Sequence, residues 1–243
     1  MYLLVNILII ALLIILTFLV FKLSKYQKKQ LRQSALNNAY NEIGNLGLNF
    51  PLPWGPMAAH PKTISDLVLK SYDPSVKNII ECGSGISTLY IASVLSKKKN
   101  NGHLYCLEDD SSWANLITQY LKYMNLSEFV TIYVSEKVKT KIDDINTKWY
   151  NIENVEIPKN SCDILFVDGP KGGGLDLQNL TRFPALPSLK TYLTDNCKIF
   201  LDDTNRDGEK LIAEKWINQY NLELVKDNVR YSELRFINTN KLK

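Results

Sequence analysis

The chain has 243 residues, of which 45% are hydrophobic and 22% charged, with 11 glycines and 9 prolines. This length suits one domain of moderate size, and the composition excludes collagen-like, disordered and disulfide-stapled classes of protein. The net charge is +4, but five basic residues fall within the first 32 positions, ahead of any acidic residue. The rest of the chain has 24 basic and 25 acidic residues, which argues against a nucleic-acid partner.

The first predicted element is a membrane-spanning helix. Leu3 to Phe21 contains only Asn6 and Thr17 as polar residues, and a helix of this length would reach about 28 Å, close to the thickness of a bilayer's hydrocarbon core. A buried helix and a cleaved signal peptide are the alternatives. A signal peptide would have its positive charges before the apolar run, whereas here the lysines follow it. We therefore predict an anchor over residues 1–22, with residues 3–32 contacting membrane lipids.

The basic cluster also predicts the orientation of the chain. Lys and Arg favour the cytosolic side of a membrane, so we expect a single-pass protein with everything after Lys22 in the cytosol. Glycosylation sequons at Asn125 and Asn179 keep a lumenal placement open. Residues 23–57 are predicted to form a basic juxtamembrane segment and a Pro-rich linker, and residues 58–243 the main domain.

Beyond residue 57, apolar β-rich runs alternate with helix-like segments. This alternation predicts βαβ units and a parallel sheet with helices on both faces. Strands are predicted at Asn78–Cys82, His103–Glu108, Phe129–Val134, Asp163–Asp168, Lys198–Asp202, Leu222–Lys226 and Glu233–Ile237. Helices are predicted at Ser87–Ser96, Ser112–Met124, Arg182–Leu193 and Glu209–Tyr220. Only a short polar stretch separates the last two strands, so we expect an α/β, Rossmann-like doubly wound sheet of about seven strands, with an antiparallel pair at its edge.

A glycine-containing turn, running from Glu81 through Gly83 and Gly85 to Thr88, follows the first strand. Two glycines permit a tight turn and a close backbone approach to a ligand. Thr88 stands where a dinucleotide-binding loop has its third glycine, and Glu81 would repel a pyrophosphate but attract a sulfonium or ammonium group. The turn therefore favours a nucleoside with positive charge, and a nucleotide-dependent oxidoreductase is the second hypothesis.

The second strand ends in Glu108-Asp109-Asp110. A carboxylate at this position can accept hydrogen bonds from both ribose hydroxyls of a nucleoside. Acids here can also cap the next helix and complement its dipole. We expect both roles, with Glu108 binding the ribose and Asp110 or Ser111 capping the helix.

Two later strands also end in acids, at Asp168 and at the pair Asp202-Asp203. Adjacent strands lie about 4.8 Å apart, so these three carboxylates can converge, and they repel one another unless they are compensated. A divalent cation such as Mg²⁺, Mn²⁺ or Ca²⁺, bound by Asp168, Asp202 and Asp203, would compensate them. Arg182 and Lys171 could do the same without a metal.

Three motifs together resemble a class I S-adenosylmethionine-dependent methyltransferase of a bacterial-type group. They are the E-x-G-S-G-x-S-T loop at Glu81–Thr88, the turn Asp168-Gly169-Pro170, and the double acid Asp202-Asp203. The resemblance covers Val76 to Arg206 and implies methyl transfer from S-adenosylmethionine by in-line displacement. The acids also resemble those of metal-dependent catechol-type O-methyltransferases, which have an Asp-Asn pair where this chain has Asp202-Asp203.

These observations give a set of candidate site residues. The predicted cofactor-binding residues are Glu81, Gly83, Ser84, Gly85, Thr88, Glu108, Asp109 and Asp168. The predicted catalytic residues are Asp168, Lys171 in a mobile acceptor-side loop, and His60 as a base. A surface turn is the alternative for Lys171, and a structural role is the alternative for His60.

The function predicted from the sequence is a membrane-anchored, S-adenosylmethionine-dependent methyltransferase acting on an oxygen nucleophile, with assistance by a divalent metal left open. The acceptor is expected to be a small molecule, a lipid-linked group or a glycan. The alternative is a membrane-tethered, non-catalytic module that has the same fold and binds cofactor or a partner.

Overall fold

The computed structural model describes residues 2–45, 58–98, 100–171, 180–228 and 230–237. It divides the chain into two compact units, Met1–Gly47 and Leu48–Lys243. Most of the predicted Pro-rich linker lies outside the described residues, and so does the glycine run that follows Lys171.

The first unit is a single helix, α1, Tyr2–Asn45. Its segment Ile9–Leu31 has a mean hydropathy of 2.1 and none of it is buried, so by length and composition it can cross a membrane. The helix does not end with the apolar run. It continues through the basic cluster and the Gln- and Asn-rich residues as far as Asn45.

The second unit contains five helices and nine strands among its described residues. The helices are α2 (Pro61–Ser71), α3 (Ile86–Lys97), α4 (Ser111–Tyr123), α5 (Ala185–Leu189) and α6 (Asp207–Tyr220). The strands are β1 (Asn78–Cys82), β2 (His103–Glu108), β3 (Val130–Val134), β4 (Lys137–Ile142), β5 (Ile145–Tyr150), β6 (Cys162–Val167), β7 (Leu193–Asp202), β8 (Leu222–Asp227) and β9 (Tyr231–Phe236).

Seven of the strands form one sheet in the order β3-β2-β1-β6-β7-β9-β8. The first five are mutually parallel, whereas β9 runs antiparallel to both β7 and β8. The predicted Rossmann-like sheet with an antiparallel pair at its edge is therefore confirmed. The inner strands are apolar on both faces because helices and loops cover both, as is usual for parallel sheets.

Two features of this unit differ from the sequence prediction. The strands β4 and β5 form a separate antiparallel hairpin. The sequence prediction did not include it, although alternation of polar and apolar residues is typical of a half-buried strand. The predicted helix Arg182–Leu193 is reduced to α5, and β7 already begins at Leu193. Pro184 precedes α5 as its N-cap, and a 3₁₀ turn over Lys190–Tyr192 follows α5 directly, so no further α-helical turn forms before β7.

The four cysteines are free and buried, which agrees with their positions in apolar strands. Cys82 and Cys162 belong to a large core that also includes Trp149 of the hairpin and Trp216 of α6. A second cluster joins α3 to α4 through Leu89, Ala92, Ile117, Leu121 and Leu126. The hairpin therefore contributes to the main core of this unit.

Candidate active site

The strand order reverses between β1 and β6, and the carboxyl ends of such strands usually border a ligand-binding crevice. Main-chain hydrogen bonds join these two strand ends. The N–H groups of Asp168 and Gly169 both donate to the carbonyl oxygen of Cys82, at 3.0 and 2.6 Å. Gly83 donates to the carbonyl oxygen of Leu107 at 2.8 Å. The ends of β2, β1 and β6 are thus held in fixed positions beside one another.

Gly83 and Gly169 pack backbone against backbone at this point. Gly83 has a φ of +90°, and a Cβ there would lie 3.0 Å from the nitrogen of Gly169. A Cβ on Gly169 would lie 2.8 Å from the Cα of Gly83 and 2.5 Å from the hydroxyl of Tyr150. In contrast, a Cβ on Gly85 would meet only the hydroxyl of Ser87, at 4.0 Å. The first two glycines are therefore required by packing, while the loop at Gly85 has room for a ligand.

Glu81 lies behind the glycine loop, with no exposed surface. Its carboxylate accepts hydrogen bonds from the hydroxyl of Ser87, from that of Thr88 at 2.6 Å and from the thiol of Cys106 at 3.1 Å. Thr88 in turn accepts from the N–H of Gly85 at 2.8 Å. Glu81 and Thr88 thus hold the start of α3. Their direct contact with a cofactor stays a prediction, which the burial of Glu81 does not favour.

Burial raises the pKa of the Glu81 carboxyl from 4.5 to about 7. The three hydrogen-bond donors oppose this change, and the negative charge of Asp168 adds to it. The loop is thus supported by an acid that takes up a proton close to neutral pH.

Glu108 faces the glycine loop from the end of β2 and is 6% exposed. Its Oε2 accepts from both the N–H and the hydroxyl of Ser84, each at 2.8 Å. Its Oε1 accepts from the N–H groups of Asp109 and Asp110, at 2.9 and 3.0 Å. The Ser84 hydroxyl therefore uses an acceptor position that a ribose hydroxyl would need. A rotation of this serine side chain would free it.

The two acids after Glu108 have separate contacts. Asp110 accepts from the N–H groups of Ser112 and Trp113, at 2.9 and 3.0 Å, and caps α4 as expected. Asp109 forms an ion pair with Lys137 of the hairpin, at 2.5 Å between Nζ and Oδ2. The indole N–H of Trp113 donates to the carbonyl oxygen of Ser84 at 2.7 Å. The start of α4 and the base of the hairpin are thus attached to the same crevice.

The carboxylates of Asp168, Asp202 and Asp203 converge, with ligand atoms within 4.8 Å of one another. This spacing would allow all three to bind one divalent cation. The guanidinium of Arg182 is already among them. Its Nη2 lies 3.3 Å from Asp168 Oδ1 and 3.3 Å from Asp203 Oδ2. Arg206 also contacts Asp203, at 2.8 Å.

The electrostatics of this acidic cluster follow from burial and mutual repulsion. Burial raises the pKa of Asp168 to about 6, against the opposing effect of the Arg182 charge. Burial and the charges of Asp168 and Asp203 raise the pKa of Asp202 well above its ordinary value. The hydroxyl of Thr63 donates to Asp202 Oδ1 at 2.8 Å and partly offsets this effect.

His60 and Lys171, the other two catalytic candidates, have different surroundings in the structure. His60 caps α2, because its Nδ1 accepts from the N–H of Lys62 at 3.1 Å. Burial and the charge of Arg230 lower the pKa of His60. With Nδ1 accepting, we assign the proton of the neutral ring to Nε2, which makes that nitrogen a donor. Lys171 is exposed, and its catalytic role stays a prediction.

Sequence reasoning missed Tyr150, at the end of the hairpin. Its side chain is 2% exposed, and its hydroxyl has no hydrogen-bond partner among the described residues. A buried hydroxyl is expected to have a partner, whether protein, water or ligand. It lies against Gly169, beside Asp168. The alternating residues that end in Trp149 and Tyr150 were the signal from which this strand could have been predicted.

A sequence model of a family described as "Methyltransferase domain" matches residues 80–204. Since this match covers more than half of the chain, the protein belongs to that methyltransferase family. No protein of curated function matches the sequence significantly.

Solved methyltransferase structures have the same fold. An SAH-bound methyltransferase from Podospora anserina is 12% identical, with a TM-score of 0.55 over 82% of this chain and 88% of that one. An O-methyltransferase from Bacillus cereus, in complex with SAH, is 16% identical, with a TM-score of 0.52 over 83% and 88% of the two chains. A SAM-dependent O-methyltransferase from Thermotoga maritima is 15% identical, with a TM-score of 0.51 over 82% and 72%. At these identities the likeness establishes the fold.

The raised pKa of Glu81 predicts a dependence of stability on pH. The folded chain holds this proton up to about pH 7, whereas the unfolded chain loses it near pH 4.5. The stabilisation is therefore complete below pH 4.5 and is lost as the pH rises through 7. Relative to Glu81→Gln, which cannot titrate, the wild type should lose about 3 kcal/mol of unfolding free energy between pH 4.5 and 8.

Urea unfolding at several pH values, followed by circular dichroism, measures this difference. The control is Glu153→Gln, at an exposed position, for which we expect a difference that hardly changes with pH. A difference between wild type and Glu81→Gln that stays constant across the same range would contradict the prediction.

Proposed function

We propose that this protein is a membrane-anchored methyltransferase that uses S-adenosylmethionine to methylate an oxygen nucleophile. The observation that supports this best is the convergence of three features at one crevice. They are the glycine contact between Gly83 and Gly169, the Glu108 carboxylate facing Ser84, and the acid Asp168 beside both. Membership of the methyltransferase family supports the same conclusion.

The residues on the β1 and β2 side would bind the cofactor. Glu108 would accept from a ribose hydroxyl once the Ser84 hydroxyl turns away, because its two oxygens now receive four protein donors. The open surroundings of Gly85 allow a ligand to approach the backbone. The unpartnered hydroxyl of Tyr150 would gain a ligand atom or a water molecule as its partner. S-adenosylmethionine supplies an activated methyl group on a positively charged sulfur when it is bound.

Asp168 is the strongest candidate for the residue that removes a proton from the acceptor. Its side chain is 19% exposed, and Arg182 bonds only to its Oδ1. Among the described residues, none donates to Oδ2. With a pKa of about 6, the carboxylate is mostly ionised at neutral pH and can still accept a proton there, which suits a general base. Oxygen as the nucleophile agrees with the O-methyltransferases of similar fold.

The anchor would hold the enzyme at a membrane. The side chains of the apolar part of α1 are exposed, among them Leu12, Leu16 and Leu19, which are between 54% and 61% accessible. Such a surface is unfavourable in water and favourable in lipid. A tether raises the local concentration of membrane-bound acceptors, so lipid-linked molecules and glycans are favoured acceptors, with the domain on the cytosolic side.

Cofactor binding is tested by calorimetry of the full-length chain in detergent with S-adenosylhomocysteine. We expect binding by the wild type and a loss of about 1–3 kcal/mol in Glu108→Ala, because the ribose loses its acceptor. The matched control is Asp110→Ala. It removes the α4 cap from the neighbouring acid and should reduce stability by about 1 kcal/mol with little effect on affinity. An unchanged affinity in Glu108→Ala would contradict the prediction and would mean that Glu108 only supports the glycine loop through Ser84.

Methyl transfer is tested by incubating the full-length chain with S-adenosylmethionine labelled in its methyl group and a membrane extract. Fractionation into lipid, protein, glycan and small molecules identifies the class of acceptor. We expect incorporation of label that Asp168→Asn abolishes and Asp110→Ala retains. Binding of cofactor without any transfer would support the alternative, a tethered module that does not catalyse a reaction.

Membrane anchoring is tested by alkaline carbonate extraction of membranes from cells that produce the protein. We expect the wild type to stay in the membrane pellet. The combined variant Leu12→Arg, Leu16→Arg, Leu19→Arg should be extracted, since each arginine at the centre of a spanning helix costs about 2.5–3.5 kcal/mol. Protection of the domain from protease in sealed right-side-out vesicles would support the cytosolic placement, and degradation there would contradict it.

A further inference from the structure

We infer that the guanidinium of Arg182 takes the place of the divalent cation in the Asp168, Asp202 and Asp203 cluster, so that methyl transfer in this protein does not use a metal. The inference rests on the proposed function, because it assumes that this cluster belongs to a methyl-transfer site. The geometry of the arginine supports it independently.

The contacts of Arg182 are those of an internal counter-ion. Its Nη2 donates to Asp168 Oδ1 and to Asp203 Oδ2, each at 3.3 Å. Its Nη1 donates to Asp203 Oδ2 at 3.3 Å and to the carbonyl oxygen of Asp202 at 3.2 Å. The side chain is 4% exposed. A planar guanidinium is well suited to such paired contacts with carboxylates.

A metal ion bound by these carboxylates would lie close to the guanidinium of Arg182. A divalent cation binds carboxylate oxygens at about 2.0–2.6 Å and needs six or more oxygen ligands. An ion bound to Asp168 Oδ1 or Asp203 Oδ2 would lie within about 6 Å of the guanidinium nitrogens, given contacts of 3.3 Å and this bond length. Two positive groups would then repel each other across a buried site. One oxygen of the third carboxylate, Asp202 Oδ1, already accepts a hydrogen bond from the hydroxyl of Thr63.

The identity of Asp203 supports this interpretation. The metal-dependent proteins that the sequence resembles have an Asn at this position, and an amide oxygen there leaves no charge for an arginine to pair with. Here the residue is an acid. Its Oδ2 accepts hydrogen bonds from both terminal nitrogens of Arg182 and lies 2.8 Å from Nη1 of Arg206. The charge of Glu209 also acts on Arg182. The residue that differs from the metal-dependent proteins is thus the one that Arg182 contacts.

This arrangement bears on the class of acceptor. A metal in such a cluster can bind two adjacent oxygens of one substrate, which selects chelating molecules. With the guanidinium in its place, the acceptor needs only one nucleophilic oxygen within reach of Asp168. Simple alcohols, sugars and lipid-linked groups then qualify as acceptors as well as catechols do.

The test is a titration of the full-length chain with Mn²⁺, followed by electron paramagnetic resonance of the free ion. We expect no stoichiometric binding by the wild type at micromolar Mn²⁺. Arg182→Met, which removes the charge but keeps much of the apolar stem, should bind Mn²⁺ at least about tenfold more tightly than the wild type. Arg182→Lys, which keeps the charge, should not. Adding Asp203→Asn to Arg182→Met should weaken that binding again.

Two results would overturn the inference. One is micromolar binding of a single Mn²⁺ by the wild type that Asp203→Asn abolishes. The other is an Arg182→Met variant that is folded by circular dichroism and binds Mn²⁺ no better than the wild type. If Arg182→Met does not fold, the wild type, Asp203→Asn and Arg182→Lys titrations still decide. Calorimetry with S-adenosylhomocysteine on the same wild-type sample tests the proposed function separately, because cofactor binding does not involve Mn²⁺.

Discussion

The site depends on one steric constraint, the backbone contact between Gly83 and Gly169 at the ends of β1 and β6. Since the two strands are parallel neighbours, any side chain at either glycine would push the strand ends apart. Their contact sets the path of two chain segments at once. One segment turns into α3 and forms the loop that faces Glu108, and the other carries Asp168 into the crevice. The proposed cofactor side and the proposed acceptor side are therefore positioned by the same few atoms.

Around that contact, two glutamates at the ends of adjacent strands have different roles because their surroundings differ. Glu81 is fully buried and receives hydroxyl and thiol donors, so its pKa rises to about 7 and it supports the loop from behind. Glu108 receives backbone N–H groups at the edge of the crevice, and one of its donors is a serine hydroxyl that can rotate. The two glutamates thus differ in their hydrogen-bond donors, and only Glu108 has a donor, the Ser84 hydroxyl, that a ligand hydroxyl could replace, as the proposed function requires.

Much of the fold could be predicted from the sequence, because the strands are apolar runs ending in acids or turns and parallel strands bring their carboxyl ends together. That rule correctly predicted the convergence of Asp168 with Asp202 and Asp203. It could not predict which way Glu81 points. The side chains of Glu81 and Cys82 point to opposite faces of the sheet, because consecutive residues of a strand alternate. Only the packed structure shows which of these faces is covered by α3. Tyr150 was missed because the sequence prediction did not include the hairpin that carries it, although the alternation along β4 and β5 is typical of strands.

Under the proposed function, the positive group that compensates the acidic cluster would decide how an acceptor is activated. An exchangeable cation would bind the acceptor oxygen directly and make it more acidic. A guanidinium keeps its charge at all relevant pH values, and the terminal nitrogens of Arg182 are occupied by protein oxygens. These terminal nitrogens stabilise the acids and offer no free N–H group to the acceptor. Under the proposed function, removal of the acceptor's proton would fall to a carboxylate with a free oxygen, and Asp168 Oδ2 is such an atom among the described residues. Selection of the acceptor would then depend on the fit of one oxygen to that atom.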